Sequence, residues 1–186
     1  MKKSVSLKLI VFSFLLVTAS VSYSAGAPKF EGGIGIKSTV AGVKNMAIEK
    51  ESSAVGYNNL AMGKESSAFG HWNEARGDQS SAFGYNNKAS GYSSSAFGGY
   101  NKASGYSSSV FGSQYKVTGE ASGAFGVGKA TWNNTTGEND YDYVNEGKNS
   151  YMIGNYNKIA SGSNNNFILG NNVSIGSGIN NSVALG

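Results

Sequence analysis

Residues Ser93–Tyr106 read SSSAFGGYNKASGY, and the chain resumes SSSVFGSQYK from Ser107. Within this stretch a small residue and a glycine twice bracket one other residue, Phe in Ala96-Phe97-Gly98 and Ser in Ala103-Ser104-Gly105. Extended in both directions, the pattern puts glycine at 56, 63, 70, 77, 84, 91, 98, 105, 112, 119 and 126, an unbroken spacing of seven. With 27 glycines in 186 residues, chance does not produce such a run, so internal repetition is the first property to explain.

Two positions before those glycines stands Ala or Val throughout, from Ala54 and Ala61 to Val117 and Ala124. The residue in between alternates: Val55, Phe69, Phe83, Phe97, Phe111 and Phe125 form one set, and Met62, Arg76, Ser90, Ser104 and Thr118 the other. The period is therefore fourteen, made of two unlike sevens. A coiled coil is excluded, because a glycine in every heptad costs about 1 kcal/mol each relative to Ala in a helix. Segments such as SSAFG, bounded by Gly, Asn and Ser, suit strands of four or five residues. Two strands and two turns per fourteen residues make one coil of a parallel β-solenoid, in which each sequence column becomes a ladder. Strand alternation assigns Ala and Gly to the narrow interior and sends the Phe or Ser column outward. One chain would then expose a stripe of Val55 and five phenylalanines, which calls for a partner. The alternative, with Phe inside and Ala outside, would bury Ser and Arg unpaired.

The chain opens MKKSVSLKLIVFSFLLVTASVSYSAGA, with lysines, an apolar run of about nine residues and then small residues. Residues 1–24 therefore read as a signal peptide, and export is expected. The apolar run is far short of the ~20 residues a spanning helix needs. Removal of Lys2, Lys3 and Lys8 takes the formal charge from +4 to 4 − 3 = +1, which leaves no electrostatic footprint for nucleic acid. The chain has no cysteine, so oligomerisation rather than disulfides is the expected stabiliser. Residues 25–46 read as a lead-in, 47–126 as regular repeats, 127–149 as an irregular insertion and 150–186 as degenerate repeats. In the last segment the glycines 154, 162, 170, 176 and 186 are spaced 8, 8, 6 and 10.

The repeats NSVALG (Asn181–Gly186), SAFGYNNKASGYSS (Ser81–Ser94) and SSAVGYNNLAMGKES (Ser52–Ser66) resemble the head of trimeric autotransporter adhesins of the YadA-like type, whose units read NSVAIGxxSxAxGxxS. The resemblance covers roughly residues 40–186. It implies an all-β, left-handed parallel β-roll with 14-residue coils. It further implies a homotrimer on a bacterial cell surface, held in the outer membrane and serving virulence through cell adhesion. The trimer interface it implies is built on Phe69, Phe83, Phe97, Phe111, Phe125 and Val55. Partners it implies are collagen, fibronectin, laminin or an immunoglobulin-fold host receptor. Here Phe stands before Gly where the family has Ile or Val, and Ser two positions earlier where it has Val. The family's stalk and barrel anchor have no counterpart in residues 1–186, so membrane contact is expected only through a missing C-terminal anchor; a chain lacking one would be secreted.

The insertion carries Trp132, Tyr141 and Tyr143 among the acids Glu138, Asp140, Asp142 and Glu146. Aromatics on a loop serve recognition, and these three, with His71 and Trp72 of a turn between coils, are the candidate ligand-binding residues. Trp132 plugging the end of the solenoid is the other reading. NDYDYVNE lacks the spacing of a calcium loop, so no metal is expected. His71 has no nucleophile in a recognisable arrangement, so no catalytic residue, no cofactor and no enzymatic activity are expected. A structural spacer or self-association module is the rival function, using the ladders of Tyr85, Tyr92, Tyr106, Asn87 and Asn101.

Overall fold

A computed structural model describes residues 30–186. The segment read as a signal peptide and the start of the lead-in lie outside the described residues. The rest is all-β, wound as a parallel solenoid of stacked coils. Each coil gives a five-residue strand, such as Ser81–Tyr85 or Ser95–Gly99, to a broad eleven-stranded sheet. It then gives a two-residue strand, such as Lys88–Ala89 or Lys102–Ala103, to a narrow nine-stranded sheet. Successive coils are in register at fourteen residues, pairing Phe83 with Phe97 and Phe97 with Phe111.

The interior is the alanine column of both sheets. Ala54, Ala61, Ala68, Ala75, Ala82, Ala89, Ala96 and Ala103 are fully buried, and Phe faces outward. Glycine does not share the interior with alanine in the broad strands, contrary to simple alternation. There it sits at a kink, where Gly98 has φ 114° and is exposed. A Cβ at Gly98 would collide with the carbonyl oxygen of Gly112 in the next coil. The column is glycine because one backbone stacks there directly on the next.

Each corner is turned by one non-glycine residue in the left-handed region, at every seventh position from Lys37 to Ala121. The turn keeps the ladder unbroken: Asn86 N–H donates to His71 O at 2.9 Å and Tyr100 N–H to Tyr85 O at 2.9 Å. The residue after each turn points inward. At one corner Asn45, Asn59, Asn73, Asn87 and Asn101 form a side-chain ladder. Asn87 Nδ2 donates to Phe83 O (2.9 Å), Gly98 O (2.8 Å) and Asn73 Oδ1 (3.0 Å), and its Oδ1 accepts from Asn101 N–H (3.1 Å). The Asn87 side chain thus bonds backbone groups of its own coil and the next one, and the asparagine side chain of the coil before.

The coils extend beyond the boundaries drawn from glycine spacing. Thr39–Val43 already pairs in register with Ser53–Tyr57, inside the segment read as a lead-in; its Val40 and Ala41 are buried, and the run of sevens is broken only because Glu49 stands where the other half of this coil would have glycine. At the other end Tyr151, Phe167 and Val183 pair in sequence, a period of sixteen. The spacings of 8 + 8 and 6 + 10 are thus regular coils with two extra residues. Those residues widen the coil, and its buried pairs grow from Ala96 and Ala103 to Met152 with Ile159 and Ile168 with Ile175.

Between the two regimes Ala130–Asn133 and Glu138–Tyr141 form an antiparallel hairpin, and the chain rejoins the narrow sheet at Val144–Asn145. The roll continues past the hairpin, since Gly123–Val127 pairs with Tyr151–Ile153. Tyr115 takes the asparagine place at the corner the hairpin leaves. Its ring is fully buried, and its hydroxyl donates to Gly154 O and accepts from Asn157 N–H, both at 2.9 Å. Tyr115→Phe strands both backbone groups, so a loss of about 2–3 kcal/mol is expected in urea unfolding. A change below about 0.5 kcal/mol would show that water or a neighbour replaces the hydroxyl.

Candidate functional site

The hairpin lies back against the outside of the roll and does not plug its end. It is tied down by charge: Glu138 accepts from Lys88 Nζ at 2.8 Å and Lys102 Nζ at 2.7 Å. Lys88 also faces Glu74 at 3.5 Å, and Glu74 holds Arg76 Nε at 2.7 Å. These five groups form one chain of alternating charge along the narrow sheet. The two lysines hold the Glu138 carboxyl well below its usual range, at about 2.

A group with a depressed folded-state pKa contributes above its unfolded value and loses that contribution as pH falls through the folded one. The hairpin should therefore stay docked at neutral pH and loosen as pH falls from about 4.5 toward 2, earlier at high salt because Glu138 is half exposed. The emission of Trp132 in a Trp72→Phe background reads this directly. Glu138→Gln should leave the hairpin loose at every pH, and a docked hairpin in that variant would overturn the charge account.

Between hairpin and roll is a cleft of about 830 Å³. Cross-strand pairing puts Trp132 opposite Asn139 and Tyr141 opposite Ala130, so both aromatics share one face of the hairpin. Both line the cleft, with Trp72, Tyr85 and Tyr100 on the roll side. Trp132 is 54% exposed and Trp72 42%, while burial pushes the Tyr141 phenol up to about 12 and keeps it protonated.

Of the residues singled out in the sequence, Trp132, Tyr141 and Trp72 thus come together. His71 stands behind them, stacked between Tyr57 (4.8 Å) and Tyr85 (5.3 Å) with its edge to Trp72 (4.9 Å). Tyr143 does not join them: it lies past the hairpin, packs against the core and meets Tyr156 at 5.4 Å. Sequence reasoning missed Tyr85 and Tyr100 as cleft residues. Tyr85 lies fourteen residues after His71, and Tyr100 is at a left-handed corner like Trp72.

The six outward residues of the broad sheet form a second feature. Phe69, Phe83, Phe97, Phe111 and Phe125 stack nearly parallel, with centroids 4.6–5.0 Å apart, and Val55 precedes them in the ladder. The first four are mostly covered within the single chain, whereas Phe125 is 48% exposed.

Residues 61–87 and 89–114 match the family model of the YadA head domain repeat, in two copies. Over those residues the roll is built of YadA-like head repeats. No curated protein matches the chain. The YadA-like head implies adhesin-type function. The matched residues supply Trp72, Tyr85, Tyr100 and Lys102 of the hairpin anchor, Lys88 falls between the two copies, and the hairpin itself lies outside them.

Proposed function

We propose that this head works as a homotrimer on the bacterial surface and binds a host matrix protein, such as collagen, fibronectin or laminin, or an immunoglobulin-fold receptor. The observation that supports it is the aromatic cleft, which a non-repeat hairpin builds on a YadA-like roll. Three copies of one site raise avidity without any single strong contact. Purified protein is expected to bind saturably to at least one member of an immobilised panel of these proteins. Self-aggregation with no saturable binding would overturn the reading.

That outcome belongs to the second reading, a spacer or self-association module. It is favoured by Tyr92 and Tyr106, which stack at 5.1 Å and are 43% and 56% exposed. Asn87 and Asn101 do not belong to that surface, because they are buried in the asparagine ladder.

A further inference from the structure

We infer that the cleft between hairpin and roll is a binding site for a neutral saccharide. Its volume of about 830 Å³ is within the roughly 300–1,000 Å³ of small-ligand sites. What distinguishes its chemistry is which groups are already engaged. All five charged residues that line it, Glu74, Arg76, Lys88, Lys102 and Glu138, are joined to one another in the ion-pair chain. A charged ligand would have to break that chain, and with it the anchor of the hairpin. A neutral ligand would not.

The groups left over are aromatic faces and amides. Trp132 and Trp72, one on each wall, are about half exposed, and Tyr85 is 38% exposed beside them. The side chains of Asn58 and Asn86 also line the cleft and make no hydrogen bond to other described residues. A pyranose has the matching pattern. Its C–H faces pack on the electron-rich faces of indole and phenol rings. Its equatorial hydroxyls donate to and accept from side-chain amides, each of which offers two donors and one acceptor oxygen.

Trp72 adds an independent observation. It occupies the left-handed corner position with φ 58°, where the coils before and after place Asn58 and Asn86. Asparagine adopts this region readily, whereas a bulky aromatic there is an outlier with a conformational cost. In the fourteen-residue coils the aromatics that take this strained corner, Trp72 and Tyr100 (φ 57°), both line the cleft, which is the pattern expected where strain serves a site.

The inference rests on the adhesive reading only in supposing that the head binds something, and its test separates the two. Tryptophan emission and chemical-shift changes of the wild-type protein are followed on titration with maltotetraose, chitotetraose and lacto-N-tetraose, and in parallel with a triple-helical (Gly-Pro-Pro)10 peptide. At least one tetrasaccharide is expected to bind, with affinity reduced tenfold or more by Trp132→Ala and by Trp72→Asn. Trp72→Asn restores the residue of the neighbouring coils, so its unfolding midpoint should be no lower than wild type, and its loss of binding is not a loss of fold. Three results would overturn the inference: no tetrasaccharide binds although a matrix protein does, the peptide alone occupies the cleft, or saccharide binding survives both substitutions. The first of these leaves the adhesive reading intact.

Discussion

Gly98→Ala is expected to destabilise the roll by about 4 kcal/mol, while Gly99→Ala, one residue further on, is neutral or stabilising. The two glycines are neighbours in one strand and differ only in what surrounds them. At Gly98 a Cβ would meet the carbonyl oxygen of Gly112 in the next coil, and φ is 114°. A strained backbone of this kind costs about 1–3 kcal/mol, and forcing two packed backbones apart costs a similar amount. No side-chain rotation relieves the clash, because both partners are main chain. At Gly99 the nearest atom to a Cβ is Ser113 Oγ at 3.9 Å, and the cross-strand residues in its column are Tyr85 and Ser113. A side chain is tolerated there, and Ala restricts the unfolded chain, which contributes about 0.4–1 kcal/mol of stability. Urea unfolding of the two variants checks the pair. Equal midpoints would mean that coils are not held in backbone contact along the glycine column.

This contrast also marks where sequence reading succeeds and where it stops. The fourteen-residue period and the buried alanine column are written directly in the chain, since a narrow coil admits only a small side chain at positions such as Ala96 and Ala103. The role of the glycine after Phe is not written there. Alternation assigns Gly98 to the interior, and only the positive φ reveals a kink that leaves it outside. Asn87 reads as a turn residue, yet its side chain is turned inward, where it bonds three backbone groups, Phe83 O, Gly98 O and Asn101 N–H. The sixteen-residue coils were legible in principle, as 8 + 8 and 6 + 10, but glycine alone does not reveal them. The column that changes is the core, where Ile168 and Ile175 replace alanine.

The candidate site was legible in part for a related reason. Trp132 and Tyr141 announce themselves as aromatics outside the repeat, and Trp72 as an odd residue at a corner. Their meeting depends on Glu138 reaching back 50 positions to Lys88 and 36 to Lys102, a distance that no local pattern encodes. Tyr143 shows the converse, for it lies two residues after Tyr141 and yet packs with the roll. The chain turns back into the narrow sheet at Val144, so Tyr143 belongs to the coil rather than to the hairpin.

Replacing Phe69, Phe83, Phe97 and Phe111 together by Ser is expected to turn the proposed trimer into a folded monomer. Serine occupies the corresponding column of the narrow side, at Ser90 and Ser104, where its hydroxyls are buried without a partner, so the coil already accommodates serine in that place. Stacking at 4.9–5.0 Å covers part of each ring within one chain, and the larger part of each residue is already out of solvent. What remains for a partner is at most about a third of the roughly 1.5–3 kcal/mol that full burial of a Phe contributes. Four rings then give at most about 2–4 kcal/mol per chain, and three chains roughly three times that. Each 1.4 kcal/mol is a factor of ten, so losing this term moves assembly by many orders of magnitude in concentration. Sedimentation of both proteins at micromolar concentration is the measurement, with circular dichroism to verify that the variant keeps its β-structure. A wild-type monomer, or a variant that remains trimeric, would show that stacking within one chain suffices for the stripe and that the chains meet elsewhere.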